Sequence, residues 1–392
     1  GLAGDANTTG FNNTVVGFDA LGTNTASGAN VAMGYEALKT YNNTSDASHF
    51  NTAIGTQAGK LLTTGIQNTL IGGLAGDALT TGKEHVVLGY NALGTETNGV
   101  ACVAIGYEAL ATQNGAGATN IYNTAVGYHA GKLITTGIRN TLIGGLAGDA
   151  ITDADNNEAF GYGALSSNVL GSRSVAIGTT TLLSQNPASA TEMYNVAVGF
   201  EAGLSISTGV QNTFIGGLAG DATTTASNNT ALGYLALSAN TTGEVNTAIG
   251  VASLDANTTG ANNVAVGGGS LGANTTASNN TAVGKDALLS NTTGAQNTAV
   301  GYQAAHQNTT GASNTFLGEQ TGFWNTTGSQ NTAVGTDAYA TNNTTTGTNN
   351  VAVGFSSFAA STTGSNNTAV GMNSLKATST GGSNVAIGGS AL

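Results

Sequence analysis

Charged residues are scarce in this chain of 392 residues, making up 7% of it, and it has one proline, one cysteine and one tryptophan. A single proline excludes a collagen-like triple helix. A single cysteine, Cys102, excludes an intrachain disulfide and a cysteine-rich metal site, and a small buried filler is its expected role. The chain has only eight lysines and arginines and a net charge of −12, which excludes the basic surface that binds nucleic acid. No apolar run is long enough to span a membrane, so we expect no membrane insertion in this segment.

Glycine and a short repeat are abundant instead. The chain has 60 glycines, and 40% of its residues are hydrophobic. Disorder requires low hydrophobicity with dense charge, so an ordered chain is expected. The motif Asn-Thr-Ala-Val-Gly and its variants recur 22 times, and we call the last residue of each copy the anchor glycine. Anchor glycines run from Gly17 to Gly388 at a 17-residue spacing, which is broken three times by 21 and once by 19.

The long steps define a larger repeat. They end at Gly55, Gly127 and Gly199, which are equally spaced along the chain. Residues 1–199 therefore carry a super-repeat of 17+17+17+21, and residues 200–392 are nearly uniform 17-residue units. We interpret residues 1–392 as one continuous repeat array. It opens and closes within a repeat, which indicates a fragment of a longer chain.

The columns of the repeat predict the fold. The residue before each anchor glycine is large and apolar, and the residue two places earlier is Thr or Val in every copy but that of Glu158. This alternation predicts a short β-strand with one face buried. A glycine seven residues before the anchor, in 15 copies, predicts a tight corner with positive φ. We predict an all-β fold, a parallel β-solenoid of about 22 coils with two short strands per coil.

Two further columns extend this prediction. Asparagine leads the strand in 19 copies, the exceptions being His85, Cys102 and Ser174, and stacked amides are expected to form a hydrogen-bonded ladder. The middle residue of the strand, such as Ala299, is apolar as well, so both faces of the strand are apolar. One face must then be covered by something outside the coil. Other copies of the chain are the simplest cover, with Ala299 facing them, which predicts an obligate homo-oligomer without a stable folded monomer.

Asn-Thr-Ala-Val-Gly, Asn-Val-Ala-Ile-Gly at 384–388 and Ser-Val-Ala-Ile-Gly at 174–178 resemble the head repeats of trimeric autotransporter adhesins. The resemblance covers the whole chain and implies a left-handed parallel β-roll wound as a homotrimer. The 17-residue coils are longer than the usual repeat of that family, and no stalk is present. Arrays rich in Asn-Thr-Thr-Gly are also similar to fibre and tail-appendage proteins of marine bacteriophages and other viruses.

These resemblances favour a structural, non-enzymatic fibre on a virion surface, such as a phage tail or appendage fibre, that supports attachment to a host. Its expected partners are itself, other virion or surface components, and a host-surface receptor or glycan. A bacterial cell-surface adhesin is the alternative. An ice-binding solenoid ranks lower, because the Thr-Thr pairs occur at corners rather than as Thr-x-Thr on a strand. We expect no cofactor and no catalytic residue, because the four histidines occupy different columns.

Two interpretations of one acidic cluster remain open. Asp153, Asp155 and Asn157 resemble the opening of a calcium loop, although the glycine and the final glutamate of such a loop are missing. Alternatively, Glu158 lies between Arg139 and Arg173 of the neighbouring coils, as a carboxylate satisfied by two guanidinium groups within a chain or across the oligomer.

Exposed aromatic residues are the candidates for receptor contact. The three insertions, within residues 39–50, 112–122 and 184–194, are expected to bulge outward and end in Phe50, Tyr122 and Tyr194. Covering an apolar strip or a neighbouring subunit is the alternative role for them. Phe323 and Trp324 are further candidates because they depart from their columns. Aromatics also follow the anchor glycine in ten copies; Tyr90, Tyr107 and Tyr128 among them are expected to stack, either for packing or as a glycan surface.

Overall fold

The computed structural model describes residues 2–45, 47–115, 120–340, 344–377 and 379–391. The chain is an all-β parallel β-solenoid of about 21 coils with about 17 residues per turn and, in the described part, no helix. The coil number is one below the predicted 22, because the 22 strands that precede anchor glycines delimit 21 complete turns. Two compact units divide the chain, Gly1–Asn195 and Val196–Leu392.

The first unit contains twelve strands in its described residues. They are β1 (Thr14–Val16), β2 (Val31–Met33), β3 (Thr52–Ile54), β4 (Thr69–Ile71), β5 (Val86–Leu88), β6 (Val103–Ile105), β7 (Thr124–Val126), β8 (Thr141–Ile143), β9 (Glu158–Phe160), β10 (Gly171–Ser172), β11 (Val175–Ile177) and β12 (Thr191–Glu192).

The second unit has twelve three-residue strands in its described residues. They are β13 (Val196–Val198), β14 (Thr213–Ile215), β15 (Thr230–Leu232), β16 (Thr247–Ile249), β17 (Val264–Val266), β18 (Thr281–Val283), β19 (Thr298–Val300), β20 (Thr315–Leu317), β21 (Thr332–Val334), β22 (Val351–Val353), β23 (Thr368–Val370) and β24 (Val385–Ile387). Each strand pairs in parallel with the next, so that Ala282 faces Ala299 and Ala299 faces Phe316 in the register.

The interior of each coil is lined by the middle residue of the strand, which reverses the predicted orientation. Ala299 has no exposed surface, whereas Val300 beside it is 38% exposed. The prediction that Ala299 faces a partner chain is therefore wrong. A coil this short encloses little volume. The alanine methyl groups of the strand and buried leucines such as Leu288 fill it, so the branched side chains of the strand lie outside.

Side-chain sizes are matched across this interior. Where the middle residue is large, the residue six positions later is glycine: Leu70 precedes Gly76 and Phe316 precedes Gly322. A Cβ at Gly322 would lie 2.5 Å from the Phe316 ring, and one at Gly76 would lie 3.0 Å from Leu70 Cδ2. Close packing leaves no room for both side chains. This requirement explains Gly76, the second glycine of the sequence Gly-Leu-Ala-Gly-Asp at residues 73–77.

The corners differ from the prediction in two ways. The corner glycines, such as Gly260, are not in the positive-φ region; they are needed because a Cβ at Gly260 would lie 2.3 Å from the carbonyl oxygen of Ala277. Positive φ occurs instead at the anchor glycines and at non-glycine residues such as Asp286 (56°) and Leu288 (51°), which curl the return path of the coil into turns. A second strand in each coil was therefore a wrong prediction. Away from the main ladder, pairing in the described residues is limited to β10 with β12 and three isolated bridges.

Candidate functional site

The outward face of the strands carries a column of exposed apolar side chains, which we call the apolar column. It consists of the residue before each anchor glycine. In the second unit Val283 pairs with Val300 and Val300 with Leu317, so these side chains follow one another from coil to coil. Exposed members in that unit are Ile215, Leu232, Val300, Leu317, Val334 and Ile387, and in the first unit Val16, Met33, Ile54, Leu88, Ile143, Phe160 and Ile177. The other members, such as Val283, are half-buried, and a contiguous apolar stripe of this kind marks an interaction surface in soluble proteins.

A second exposed column follows the anchor glycine and contains the ten aromatics. The predicted stacking of Tyr90, Tyr107 and Tyr128 is confirmed, with ring centroids 5.6 Å apart at both steps and interplanar angles of 18° and 16°. Phe18 and Tyr35 stack in the same way at 5.8 Å. All five rings are about half exposed. The column therefore offers a line of aromatic edges to solvent.

The insertions bulge outward only in part. Each ends in a buried side chain followed by an exposed aromatic: His49 and Phe50, Ile121 and Tyr122, Met193 and Tyr194. The first insertion also buries Tyr41 against His49, and the third supplies β12 to pair with β10. Residues 46 and 116–119 of the first two insertions lie outside the described residues. The extra residues thus add buried side chains to the interior of the coil as well as exposed ones to its surface, and the final aromatic of each insertion is presented to solvent.

Phe323 and Trp324 form a separate cluster in the second unit. The Phe323 ring stacks on His306 with centroids 4.8 Å apart and an interplanar angle of 7°. Trp324 packs edge-on against Phe323 at 5.1 Å. Both aromatics are half-buried. The pair is explained by this packing, and its remaining exposed surface is smaller than that of the aromatics at the insertions.

The acidic cluster shows neither predicted arrangement within the chain. Glu158 is exposed on β9 between Thr141 and Val175. Among the described residues no ion pair includes Glu158 or Arg139. The intrachain sandwich is therefore wrong, because the outward face of the strand leaves the Glu158 carboxylate to solvent. A contact across an oligomer stays a prediction.

Arg173 finds its partners in the third insertion instead. Its guanidinium lies 2.9 Å from the Glu192 carboxylate, donates a hydrogen bond of 2.6 Å to the Tyr194 hydroxyl, and sits 5.5 Å from the centre of the Tyr194 ring. All three side chains are exposed, so the cluster contributes little to stability. It does hold Tyr194, one of the candidate contact residues, in place.

The three calcium candidates are engaged separately. Asp153 accepts hydrogen bonds of 2.7 Å from the hydroxyls of Thr136 and Thr135, which lower the pKa of its carboxyl. Asp155 accepts from the backbone N–H of Ile138. Asn157 is buried in the asparagine ladder. Because the Asn157 side chain is committed to the interior, these residues do not make a common ligand set. Within the described residues no group of three or more His, Cys, Asp or Glu is arranged to hold a metal ion.

The predicted asparagine ladder is confirmed, and it is buried. The backbone N–H of Asn297 donates to Asn280 Oδ1 at 2.9 Å, and Asn297 Nδ2 donates to the carbonyl oxygen of Gly311 at 2.8 Å. A second ladder, at the corner of the coils, was not predicted: Asn308 Nδ2 donates to Asn291 Oδ1 at 2.8 Å. Each amide thus satisfies buried backbone groups that would otherwise destabilise the fold.

His85 takes the place of an asparagine in the first ladder. Its Nδ1 accepts the backbone N–H of Cys102 at 3.1 Å, and its Nε2 lies 2.9 Å from the carbonyl oxygen of Gly99. This pattern requires a neutral ring that carries its proton on Nε2. Burial lowers the pKa of His85. The neutral imidazole therefore performs both functions of the amide it replaces.

Glu96, next to His85 in the corner, is wholly buried and was missed by the sequence analysis. Its Oε1 accepts the backbone N–H groups of Thr97 and Gly99 at 2.9 and 2.8 Å, and its Oε2 accepts that of Gly115 at 3.0 Å. Cys102 is also buried, and burial raises the pKa of its thiol to about 12. Its expected role as a buried filler is confirmed.

His85 makes the first unit acid-sensitive. The unfolded chain takes up a proton on His85 near its ordinary pKa of 6.5, whereas the folded chain does so only at lower pH. The unfolded state therefore binds more protons below pH 6.5, so stability falls as the pH drops from there towards the lowered folded pKa. We expect His85→Asn to reduce the loss of melting temperature between pH 7.5 and pH 5. Asn297→His, the reciprocal control, should create such a loss in the second unit; equal pH dependence in all three proteins would contradict the role of the ring.

The chain matches no known protein-family model and is not significantly similar to any curated protein. None of the described residues forms a helix capable of crossing a membrane.

Proposed function

We propose that this chain is a structural segment of a homotrimeric fibre that projects from a virion surface and supports attachment to a host. The observation that supports it is the apolar column, which repeats on coil after coil of each unit and lies outside the interior of the chain. Removing such a stripe from water is favourable by about 25 cal/mol per Å² of apolar surface, which favours assembly over an exposed state.

A second copy of the chain is the partner that matches this column. Another copy carries apolar side chains at the same coil spacing, so the two stripes stay in register along their length, whereas a partner without that period loses the match after a few coils. Symmetric homo-oligomers are also the commonest assemblies of soluble proteins. The trimer number and the handedness of the coil rest on the resemblance to adhesin head repeats.

The alternative location is a bacterial cell surface, where the same fibre would serve as an adhesin. Electron microscopy with an antibody against this chain distinguishes the two, because label on virions indicates a phage appendage and label on cells indicates an adhesin. Ice binding is disfavoured by the corner threonines: the Thr258 hydroxyl donates to the carbonyl oxygen of Thr275 and is occupied within the chain. Absence of thermal hysteresis in solution would exclude it.

Attachment is expected to depend on the aromatics at the insertions. The triple variant Phe50→Asn, Tyr122→Asn, Tyr194→Asn should keep its fold, because Asn228 and Asn279 occupy the same column with φ of 61° and 62°. It should bind poorly to cells in a panel of bacterial strains that bind the parent protein, since aromatic anchors contribute most of the binding energy at interfaces.

A matched control removes three exposed aromatics from the other column, by Tyr162→Thr, Tyr234→Thr and Tyr302→Thr. Thr56 already stands at that column. The control should bind like the parent protein. If the insertion triple binds normally as well, the insertions are not the attachment site, and Phe323 and Trp324 become the next variants to test.

A further inference from the structure

The stacked tyrosines of the first unit form a chemically distinctive group. Tyr90, Tyr107 and Tyr128 directly follow the anchor glycines of three successive coils, and neighbouring rings are nearly parallel with centroids 5.6 Å apart. Each side chain is exposed by about half, which admits a reagent from solvent. Among the described residues these two pairs are the tyrosine–tyrosine ring contacts.

A proton acceptor lies beside the middle ring. Glu108 follows Tyr107 in the chain, and the charge of its carboxylate raises the pKa of the Tyr107 phenol. The same carboxylate lies 2.7 Å from Lys132 Nζ and 3.1 Å from His129 Nε2. His129 in turn stacks on Tyr128 with centroids 3.8 Å apart. A nearby carboxylate stabilises the positive charge that develops as a phenol loses its electron, so Tyr107 is the ring expected to oxidise first.

We propose that Tyr90, Tyr107 and Tyr128 are a site of oxidative cross-linking, at which hydrogen peroxide acting through a haem peroxidase joins Tyr107 to one of its two neighbours as dityrosine. Each of the two phenols loses one electron and its hydroxyl proton, which leaves two tyrosyl radicals. The radicals couple through a new bond between ring carbons ortho to the oxygens. The two ortho hydrogens then move to the phenolic oxygens. The peroxide takes up the two electrons and two protons and leaves as two molecules of water.

The fold favours this pair over random coupling. Parallel register holds β5, β6 and β7 together through the pairs Val86 with Val103 and Val103 with Thr124, so the rings that follow these strands are held as neighbours. Holding two reacting groups in contact replaces a bimolecular encounter by an intramolecular step. The product closes a covalent loop between adjacent coils, and such a cross-link restricts the unfolded chain as a disulfide does. The inference concerns covalent reinforcement and does not depend on the proposed role in attachment.

The test is to treat the whole chain at low concentration with a haem peroxidase and hydrogen peroxide. We expect dityrosine fluorescence, a mass decrease of two hydrogen atoms and an unchanged position on a denaturing gel. After proteolysis, mass spectrometry should find a peptide containing Tyr107 cross-linked to one containing Tyr90 or Tyr128. Tyr107→Phe should abolish the fluorescence, because it breaks both contact pairs. Its fold should be unaffected, since Phe18, Phe200 and Phe355 occupy the same column, and circular dichroism checks this.

Two further variants make the assignment specific. Tyr302→Phe removes a tyrosine of the same column without touching the stack, and its yield should equal that of the parent protein. Glu108→Gln should slow the initial rate while leaving the coupled pair the same. Undiminished dityrosine in Tyr107→Phe, or cross-links that join only separate chains or other tyrosines, would overturn the proposal.

Discussion

Replacing Gly301 by alanine is expected to disrupt the coils around β19 and β20 and to lower stability by about 3 kcal/mol or more. Gly301 has a φ of 138°, a region that residues with a side chain rarely adopt. An added Cβ would also lie 2.4 Å from the carbonyl oxygen of Gly318, the anchor glycine of the next coil. The obstructing atom belongs to the backbone, so no side-chain rotation relieves the clash. Thermal and chemical unfolding followed by circular dichroism measures the loss.

Gly268→Ala is the matched control. Gly268 directly follows an anchor glycine and lacks a positive φ, and the nearest atom to an added Cβ is the carbonyl oxygen of Val251 at 3.7 Å. Its stability should change by less than about 0.5 kcal/mol, as for an ordinary surface substitution. If both variants unfold alike, the anchor column is not a special steric constraint.

Replacing Val283, Val300 and Leu317 together by glutamate is expected to prevent the proposed assembly and leave folded single chains. The three side chains neighbour one another on the apolar column, so assembly would bury three unpaired carboxylates, and each such burial costs several kcal/mol. The interior of the coil is closed by its own chain, with Ala282 and Ala299 wholly buried, and the substitutions leave it intact. A folded monomer of this variant would contradict the sequence-based expectation that no folded single chain is stable. Sedimentation velocity gives the mass and circular dichroism the fold.

Ala299→Glu tests the same strand from its other face. The new carboxylate would point into the interior without a partner, so this variant should unfold rather than dissociate. A carboxylate on the outward face does not itself break a strand, since Glu158 occupies that face in β9. A parent protein that sediments as a monomer would contradict the assembly proposal, and dissociation of a folded Ala299→Glu variant would contradict the interior assigned to Ala299.

The repeat period was sufficient to predict the coil, the parallel register and the asparagine ladder, because a constant period places the same residue type at the same position in every turn. Which face of the strand lies inside was not predictable from hydrophobicity, since Ala299 and Val300 are both apolar. Volume decides it. A signal for volume was present in the sequence: Leu70 and Phe316, the large middle residues, are each followed six positions later by glycine.

The contacts of the candidate site were likewise predictable in part. The tyrosine stack was predictable because Tyr90, Tyr107 and Tyr128 share one column. The pairing of Arg173 with Glu192 was not, because Glu192 belongs to an insertion whose path does not follow the repeat. Glu96 was missed for the same reason, since one of its donors, Gly115, lies in another insertion. Interactions within the period were therefore predictable, and those with inserted residues were not.

The asparagine ladder also bears on the chemical lifetime of the chain. Asparagine deamidates when the backbone nitrogen of the following residue attacks the side-chain carbonyl carbon. In the ladder that nitrogen is already committed: Thr315 N–H donates to the carbonyl oxygen of Asn331 at 2.8 Å, while the Asn314 amide donates to Asn297 Oδ1 and to Gly328. Thr315 is also β-branched, which further restricts the approach of its backbone nitrogen to the Asn314 side chain. Deamidation of the buried asparagines of the ladder should therefore require local unfolding of the coils that hold them.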